Sequence, residues 1–69
     1  MNELQKLILQ SIIKKNDTIQ DFIDDVTNTF QIKALCDMLE INRNRYNYLV
    51  RSKRLQVELL RLYVKVELK

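Results

Sequence analysis

The absence of both glycine and proline restricts the fold of this 69-residue chain more than any other feature of its sequence. Glycine takes left-handed backbone conformations at little cost, so two-residue hairpin turns and the usual glycine helix stops are closed to this chain. Glycine-rich phosphate loops and dinucleotide-binding fingerprints are excluded for the same reason. The sequence therefore favours helices packed on helices, in one small domain.

Residue types that carry catalysis or bind metals are scarce. The chain has no histidine, which excludes a histidine-based triad, a histidine-containing zinc finger and an imidazole pH switch. Its single cysteine, Cys36, cannot form an internal disulfide or a metal cluster, and it fits a small core residue in a protein of the reducing cytoplasm. We therefore expect a cytoplasmic protein that is not an enzyme and that holds no metal and no cofactor.

Four aspartates near the start of a predicted helix are the remaining candidates for a metal or acid–base site: Asp17, Asp21, Asp24 and Asp25. Negative charge is favourable at a helix start, and no histidine or other clustered ligand accompanies these carboxylates. A solvated helix start is therefore expected in place of a metal site. As an alternative role, the same acidic surface could hold the basic surface of a partner protein.

The hydropathy of the chain argues against a membrane segment, and its charge distribution indicates contact with a polyanion. No apolar run is longer than three residues, which argues against a transmembrane helix and against a signal-peptide core. Residues 1–30 hold three lysines and five acidic residues, whereas residues 31–69 hold nine basic and four acidic residues. Two halves of opposite sign indicate that the second half contacts a polyanion.

Apolar residues recur at spacings of three and four over most of the chain, which predicts four successive helices before residue 52. The stripes predicted to be buried are Leu4, Leu7, Ile8 and Ile12 in the first helix, Ile19, Phe22, Ile23, Val26 and Phe30 in the second, Ile32, Leu35, Cys36 and Leu39 in the third, and Tyr46, Leu49 and Val50 in the fourth.

Polar residues at the breaks predict where these helices begin and end. Asn16 should stop the first helix in the left-handed conformation, which asparagine tolerates better than most residues. Asp17 or Thr18 should cap the second helix, Thr29 the third and Asn42 the fourth, because their side-chain oxygens can accept backbone N–H groups.

Residues 53–69 allow two interpretations. Leu55, Leu59, Leu62 and Val66 share one helix face, yet apolar and polar residues alternate over 62–68 as in a strand. The lack of turn residues favours a helix. Because the segment is apolar on more than one side, part of it would stay exposed in a single copy, and we predict a homodimer through residues 55–68.

Residues 32–51 read Ile-Lys-Ala-Leu-Cys-Asp-Met-Leu-Glu-Ile-Asn-Arg-Asn-Arg-Tyr-Asn-Tyr-Leu-Val-Arg. This segment resembles the helix-turn-helix of bacterial and phage DNA-binding proteins. The resemblance requires apolar residues at five positions, which are Leu35, Leu39, Ile41, Tyr46 and Leu49. It also implies a small residue between the two helices, as Cys36 is, and a Ser, Thr or Asn cap on the second helix, as Asn42 is.

The turn departs from the family pattern at one position. The family usually has a left-handed glycine there, whereas this chain has Glu40, at a cost of about 1 kcal/mol relative to glycine. The pattern Leu35-Cys36-x-x-Leu39-x-Ile41-x-Arg43-x-x-Tyr46 is also similar to the helix-turn-helix near the N-terminus of some insertion-sequence transposases. The resemblance covers about twenty of the 69 residues, and the transposase catalytic domain is absent from them.

The exposed side of the fourth helix has the side chains that read DNA. An α-helix fits the major groove, where Arg can bind guanine and Asn can bind adenine through two hydrogen bonds each. Basic residues just beyond the helix are placed to meet phosphates. The residues predicted to contact DNA are Asn42, Arg43, Asn44, Asn47, Tyr48, Arg51, Lys53 and Arg54.

The sequence thus predicts an all-α bundle of about five helices with a central helix-turn-helix. Residues 1–30 form an acidic helical support, 32–51 the helix-turn-helix, and 53–69 a C-terminal helix that is the candidate dimerisation segment. The expected function is sequence-specific binding of double-stranded DNA by a small transcriptional regulator, such as a repressor, of phage or mobile-element type. Two alternatives remain: an excisionase-like recombination directionality factor on attachment-site DNA, and a protein–protein adaptor or inhibitor acting through the acidic half.

Overall fold

Five α-helices make up the structure, a computed structural model that describes residues 1–67. They are α1 (Glu3–Lys15), α2 (Ile19–Thr29), α3 (Ile32–Leu39), α4 (Arg43–Arg51) and α5 (Leu55–Glu67). No strand occurs within residues 1–67. The predicted all-α bundle of about five helices is confirmed.

The last helix, α5, lies at the centre of the bundle. It contacts each of the other four helices, while α1 packs against α2 and α3 packs against α4. It therefore joins two helix pairs into one core. Residues 62–67 are helical, so the strand interpretation is wrong for them, and residue 68 of the predicted alternation lies outside the described residues.

The core draws apolar side chains from all five helices and contains no buried polar residue among residues 1–67. The buried residues are Leu9, Ile12, Ile13, Phe22, Ile23, Val26, Leu35, Cys36, Met38, Tyr46, Leu49, Leu59, Leu62 and Val66. Phe22 and Tyr63 meet edge to face, with ring centroids 5.0 Å apart, and fix α2 against α5. Cys36 is a core residue, as predicted.

The predicted buried stripe of α1 is wrong in part. Leu4 and Leu7 are exposed, and the residues that enter the core are Leu9, Ile12 and Ile13. Apolar residues cover more than one side of this helix, so their spacing alone does not select the buried side. Packing against both α2 and α5 selects the side centred on Leu9.

Three other residues predicted to be buried are exposed: Ile19, Ile32 and Val50. Ile19 and Ile32 are the first residues of α2 and α3, and Val50 is the second-last residue of α4. Helix ends are surrounded by fewer neighbouring side chains than helix centres, and a periodic pattern does not record this difference.

Two of the predicted helix boundaries have a different chemistry from the one expected. Asn16 does end α1, but in an extended conformation (φ −111°), where its side-chain nitrogen donates to the Ile12 carbonyl at 2.9 Å. Thr29 does not cap α3, because it is the last residue of α2; Gln31 precedes α3 and makes no side-chain cap. Thr18 caps α2 as predicted, accepting the Asp21 N–H at 3.1 Å.

Candidate nucleic-acid interface

The turn between α3 and α4 depends on a left-handed Glu40. Its backbone has φ 58° and ψ 46°, the conformation that favours glycine and that the sequence predicted for this position. The Glu40 N–H donates to the Asp37 carbonyl at 3.2 Å, and the Ile41 N–H donates to the Cys36 carbonyl at 3.0 Å. These two bonds form a Schellman motif, which satisfies the last carbonyls of α3 and turns the chain towards α4.

Asn42 begins α4 in the predicted capping role. Its side-chain oxygen accepts the Arg45 N–H at 2.7 Å, which satisfies one of the free donors of the first turn. Tyr46 and Leu49 are then buried and hold α4 on the core. The cap and these two anchors fix the rotation of α4, and so decide which of its side chains face outwards.

The outward side of α4 brings several of the predicted DNA-contacting residues together. One open depression is lined by Asn44, Asn47 and Arg51 together with the exposed Val50. Such a surface offers amide and guanidinium groups on successive turns of one helix, the pattern required to bind base edges from the major groove. Arg43 lies exposed in the first turn of the same helix.

Arg45 is also exposed on α4, and it is not among the residues predicted to contact DNA. Its guanidinium carbon lies 5.6 Å from the centroid of the exposed Tyr48 ring, within the range of a cation–π contact. The spacing of three residues on a helix was the signal that could have predicted this pair. The Tyr48 ring and the Arg45 guanidinium therefore lie next to each other on the exposed side of α4.

Lys53 and Arg54 lie in the connection between α4 and α5, apart from the depression on α4. Lys53 has a second left-handed backbone (φ 61°), which the sequence did not predict. Its N–H donates to the Val50 carbonyl at 3.2 Å, and the Arg54 N–H donates to the Leu49 carbonyl at 2.9 Å. This repeats the Schellman motif of the first turn and presents both cations beside the C-terminal end of α4.

The charge on this surface is of one sign. Residues 41–57 contain five basic side chains and no acidic one. None of the ion pairs formed within residues 1–67 includes any of these five side chains. The neighbouring acid, Glu40, points its carboxylate at Lys65, with Nζ and Oε2 3.6 Å apart. The surface is therefore positive and is not neutralised from within the described part of the chain.

Asp25, one of the four aspartates considered as a metal or acid–base site, instead joins a structural network. It accepts hydrogen bonds from Asn16 at 3.0 Å and from Thr29 at 3.1 Å, and it pairs with Lys15 at 3.1 Å. The hydrogen bonds from Asn16 and Lys15 hold the pKa of the Asp25 carboxyl below its ordinary value. Residues 1–67 contain no group of three or more side chains arranged to hold a metal ion.

Comparison of this chain with protein-family models, with curated proteins and with solved structures finds no match. None of the helices in residues 1–67 has the length and apolar character needed to cross a membrane.

Proposed function

We propose that this protein binds double-stranded DNA in a sequence-specific manner, as a small cytoplasmic transcriptional regulator of phage or mobile-element type, and that it is not an enzyme. The observation that carries the proposal is the outward side of α4, where amide and guanidinium side chains project from an acid-free, positive surface. A phosphate polyanion is the partner that such a surface attracts most strongly.

Different side chains have different roles in this proposal. Asn44, Asn47 and Arg51 read base edges, because they line one depression on the side of α4 opposite its core anchors. Lys53 and Arg54 contact phosphates beside the groove, where they add affinity without sequence information. Arg43 contacts base edges from the first turn of α4. Tyr48 positions the Arg45 guanidinium against the phosphate backbone of the duplex.

The proposed active form is a homodimer that reads two half-sites. A bundle of 69 residues buries a small core, and a second copy adds stability as well as a second recognition helix. Recognition helices related by a two-fold axis read half-sites about 34 Å apart, one turn of DNA. Each copy is 21 to 30 Å across, so two copies side by side are wide enough for this spacing.

Selection of bound sequences from a random double-stranded DNA library tests the proposal directly. We expect enrichment of a consensus with two-fold symmetry. Fluorescence anisotropy on the enriched duplex should then show binding that weakens steeply with salt, with a slope of about −0.9 for each phosphate contacted. Arg51→Ala should weaken this binding, and Lys14→Ala, which removes an exposed cation on α1, serves as the matched control.

Three other results would contradict the proposal or redirect it. A flat selection with no salt-dependent binding would leave the adaptor or inhibitor role of the acidic half as the better explanation. Enrichment of a sequence that the protein bends strongly, measured by gel mobility of circularly permuted fragments, would favour a recombination directionality factor. Equal losses from Arg51→Ala and Lys14→Ala would show that α4 is not the recognition helix.

A further inference from the structure

Val50 is the apolar member of the depression on α4. It lines this depression together with Asn44, Asn47 and Arg51, and it is 48% exposed. The spacing of apolar residues predicted that Val50 would be buried, so the structure gives it different surroundings from those expected. Valine is also a weaker helix former than the long polar residues that suit exposed helix positions. Neither burial nor helix propensity therefore accounts for a valine at this position.

Val50 continues a row of exposed side chains along α4. Residues three and four apart are neighbours on a helix surface, so Arg43, Asn47 and Val50 follow one another in this row, and all three are exposed. On its other side, Val50 lines a cleft in which Lys53 also takes part. Val50 thus lies between an amide assigned to a base edge and a cation assigned to a phosphate, and a duplex that contacts both would cover it.

The major groove of DNA has one apolar group for such a side chain to contact, the 5-methyl group of thymine. Adenine, guanine and cytosine present hydrogen-bonding groups there, which an aliphatic side chain leaves without partners. Valine suits this contact because its branched side chain is held in one preferred rotamer on a helix. Little conformational entropy is therefore lost when its methyl groups meet the base.

We propose that Val50 contacts the 5-methyl group of a thymine in the base pair next to the one that Asn47 contacts. Three residues advance about 4.5 Å along an α-helix, and successive base pairs are about 3.4 Å apart. Asn47 and Val50 therefore reach neighbouring pairs when α4 lies along the groove. Because an asparagine amide favours adenine, the half-site contains two adjacent A·T pairs at this point. This inference rests on the proposed function and specifies the sequence class that it recognises.

A deoxyuridine scan tests the contact in the wild-type protein. Deoxyuridine in place of thymine removes only the 5-methyl group and keeps the base pairing. In the duplex selected from the random library, each thymine is replaced in turn, and binding is measured by fluorescence anisotropy. We expect one position in each half-site at which the replacement weakens binding about fourfold, the loss for one methyl group that stays in water.

Variants at Val50 assign this loss to its side chain. Val50→Ala should bind the thymine duplex about fourfold more weakly and should no longer distinguish thymine from deoxyuridine at that position, because the contact is already lost. Val50→Ile keeps a branched aliphatic side chain and should still distinguish them. Leu7→Ala is the matched control, since it shortens an aliphatic side chain that is 53% exposed on α1, and it should behave as the wild type.

Asn47→Ala tests the register of the two contacts. The base pair at which this variant relaxes the sequence preference is the one that Asn47 contacts. We expect the position sensitive to deoxyuridine to lie in the pair directly beside it. A sensitive position farther away would overturn the proposed register.

The failure of this inference is distinct from the failure of the proposed function. Binding that no deoxyuridine weakens, or a loss that persists unchanged in Val50→Ala, would overturn the role of Val50 and leave sequence-specific DNA binding standing. A selection that enriches no sequence would contradict the proposed function, and this inference with it.

Discussion

Asn47 and Lys53 are both exposed polar residues near the end of α4, yet the structure puts them in different surroundings. Asn47 lines the depression on α4 with Asn44 and Arg51, whereas Lys53 lies in the following connection and lines a separate cleft between α2 and α5. A side chain in the depression can meet a base edge, and one beside it can meet only a phosphate.

We therefore expect Asn47→Ala and Lys53→Ala to weaken DNA binding in different ways. Asn47→Ala should cost about 1–3 kcal/mol on the selected sequence and relax the preference at one base pair. Lys53→Ala should weaken binding to all sequences about equally and reduce the salt slope by about one. Anisotropy titrations on the consensus and on single-base variants, at several salt concentrations, measure both. Identical behaviour of the two variants would contradict the assigned roles.

The left-handed backbone at Glu40 lowers the stability of the fold relative to a glycine at the same position. Its left-handed backbone is confirmed, and its ion pair with Lys65 is exposed and so contributes little. We expect Glu40→Gly to raise the free energy of unfolding by up to about 1 kcal/mol, measured by urea denaturation. Glu40→Ala removes the same carboxylate without relieving the backbone, and serves as the control. A loss of stability on Glu40→Gly would mean that the Glu40 side chain matters more to the turn than its backbone does.

At the scale of the element, α4 has only nine residues and would have little stability as an isolated helix, because short helices are marginally stable in water. Its position depends on the cap from Asn42 at one end, on two buried side chains in the middle, and on the Schellman motif at the other end. The residues that make these interactions lie within α4 or directly beside it in the sequence. Together they leave one side of α4 facing the solvent.

Asn42 offers a way to separate the stability of α4 from its chemistry. Asn42→Ala should lower the free energy of unfolding by about 1 kcal/mol, because the Arg45 N–H loses its acceptor, whereas Asn42→Ser should retain most of the stability. Asn42→Asp should also retain the cap but weaken DNA binding, since it adds negative charge beside the positive surface. Thermal melts and anisotropy titrations measure the two effects. Equal stability of all four proteins would show that the cap contributes nothing.

At the scale of the whole molecule, α5 decides the architecture by contacting all four other helices. One face of α5, with Leu59, Leu62 and Val66, enters the core of the same chain. Val57, Leu60 and Val64 remain exposed on α5, in the segment through which the sequence predicts a homodimer. The end of α1 also contacts α2 through polar groups, because Lys15 and Asn16 both bind the carboxylate of Asp25.

The Asp25 network makes the stability of the fold depend on pH at the acidic end. Its pKa is lowered in the folded protein by hydrogen bonds from Asn16 and Lys15, so the stabilisation is fully present above the unfolded-state pKa and is lost as pH falls through the folded-state pKa. Urea denaturation at a series of acidic pH values should show this loss, and Asp25→Asn should remove part of it. An Asp25→Asn protein with the wild-type pH dependence would contradict the assignment.

The sequence by itself determined the features that depend on neighbours within about one helical turn. The all-helical fold, the Asn42 cap and the left-handed Glu40 follow from local chemistry, and the structure confirms them. The residues of the candidate site on α4 could be named for the same reason, because the buried Tyr46 and Leu49 fix which of its sides faces out.

Only the tertiary structure decided which of several apolar stripes is buried, because that choice depends on helices distant in sequence. It left Leu4 and Leu7 in solvent, since α1 meets α2 and α5 through Leu9. It made Lys53 left-handed, since α5 must turn back across the core directly after α4. It also set α2 beside α5, and so created an apolar groove between them that no pattern along one helix could reveal.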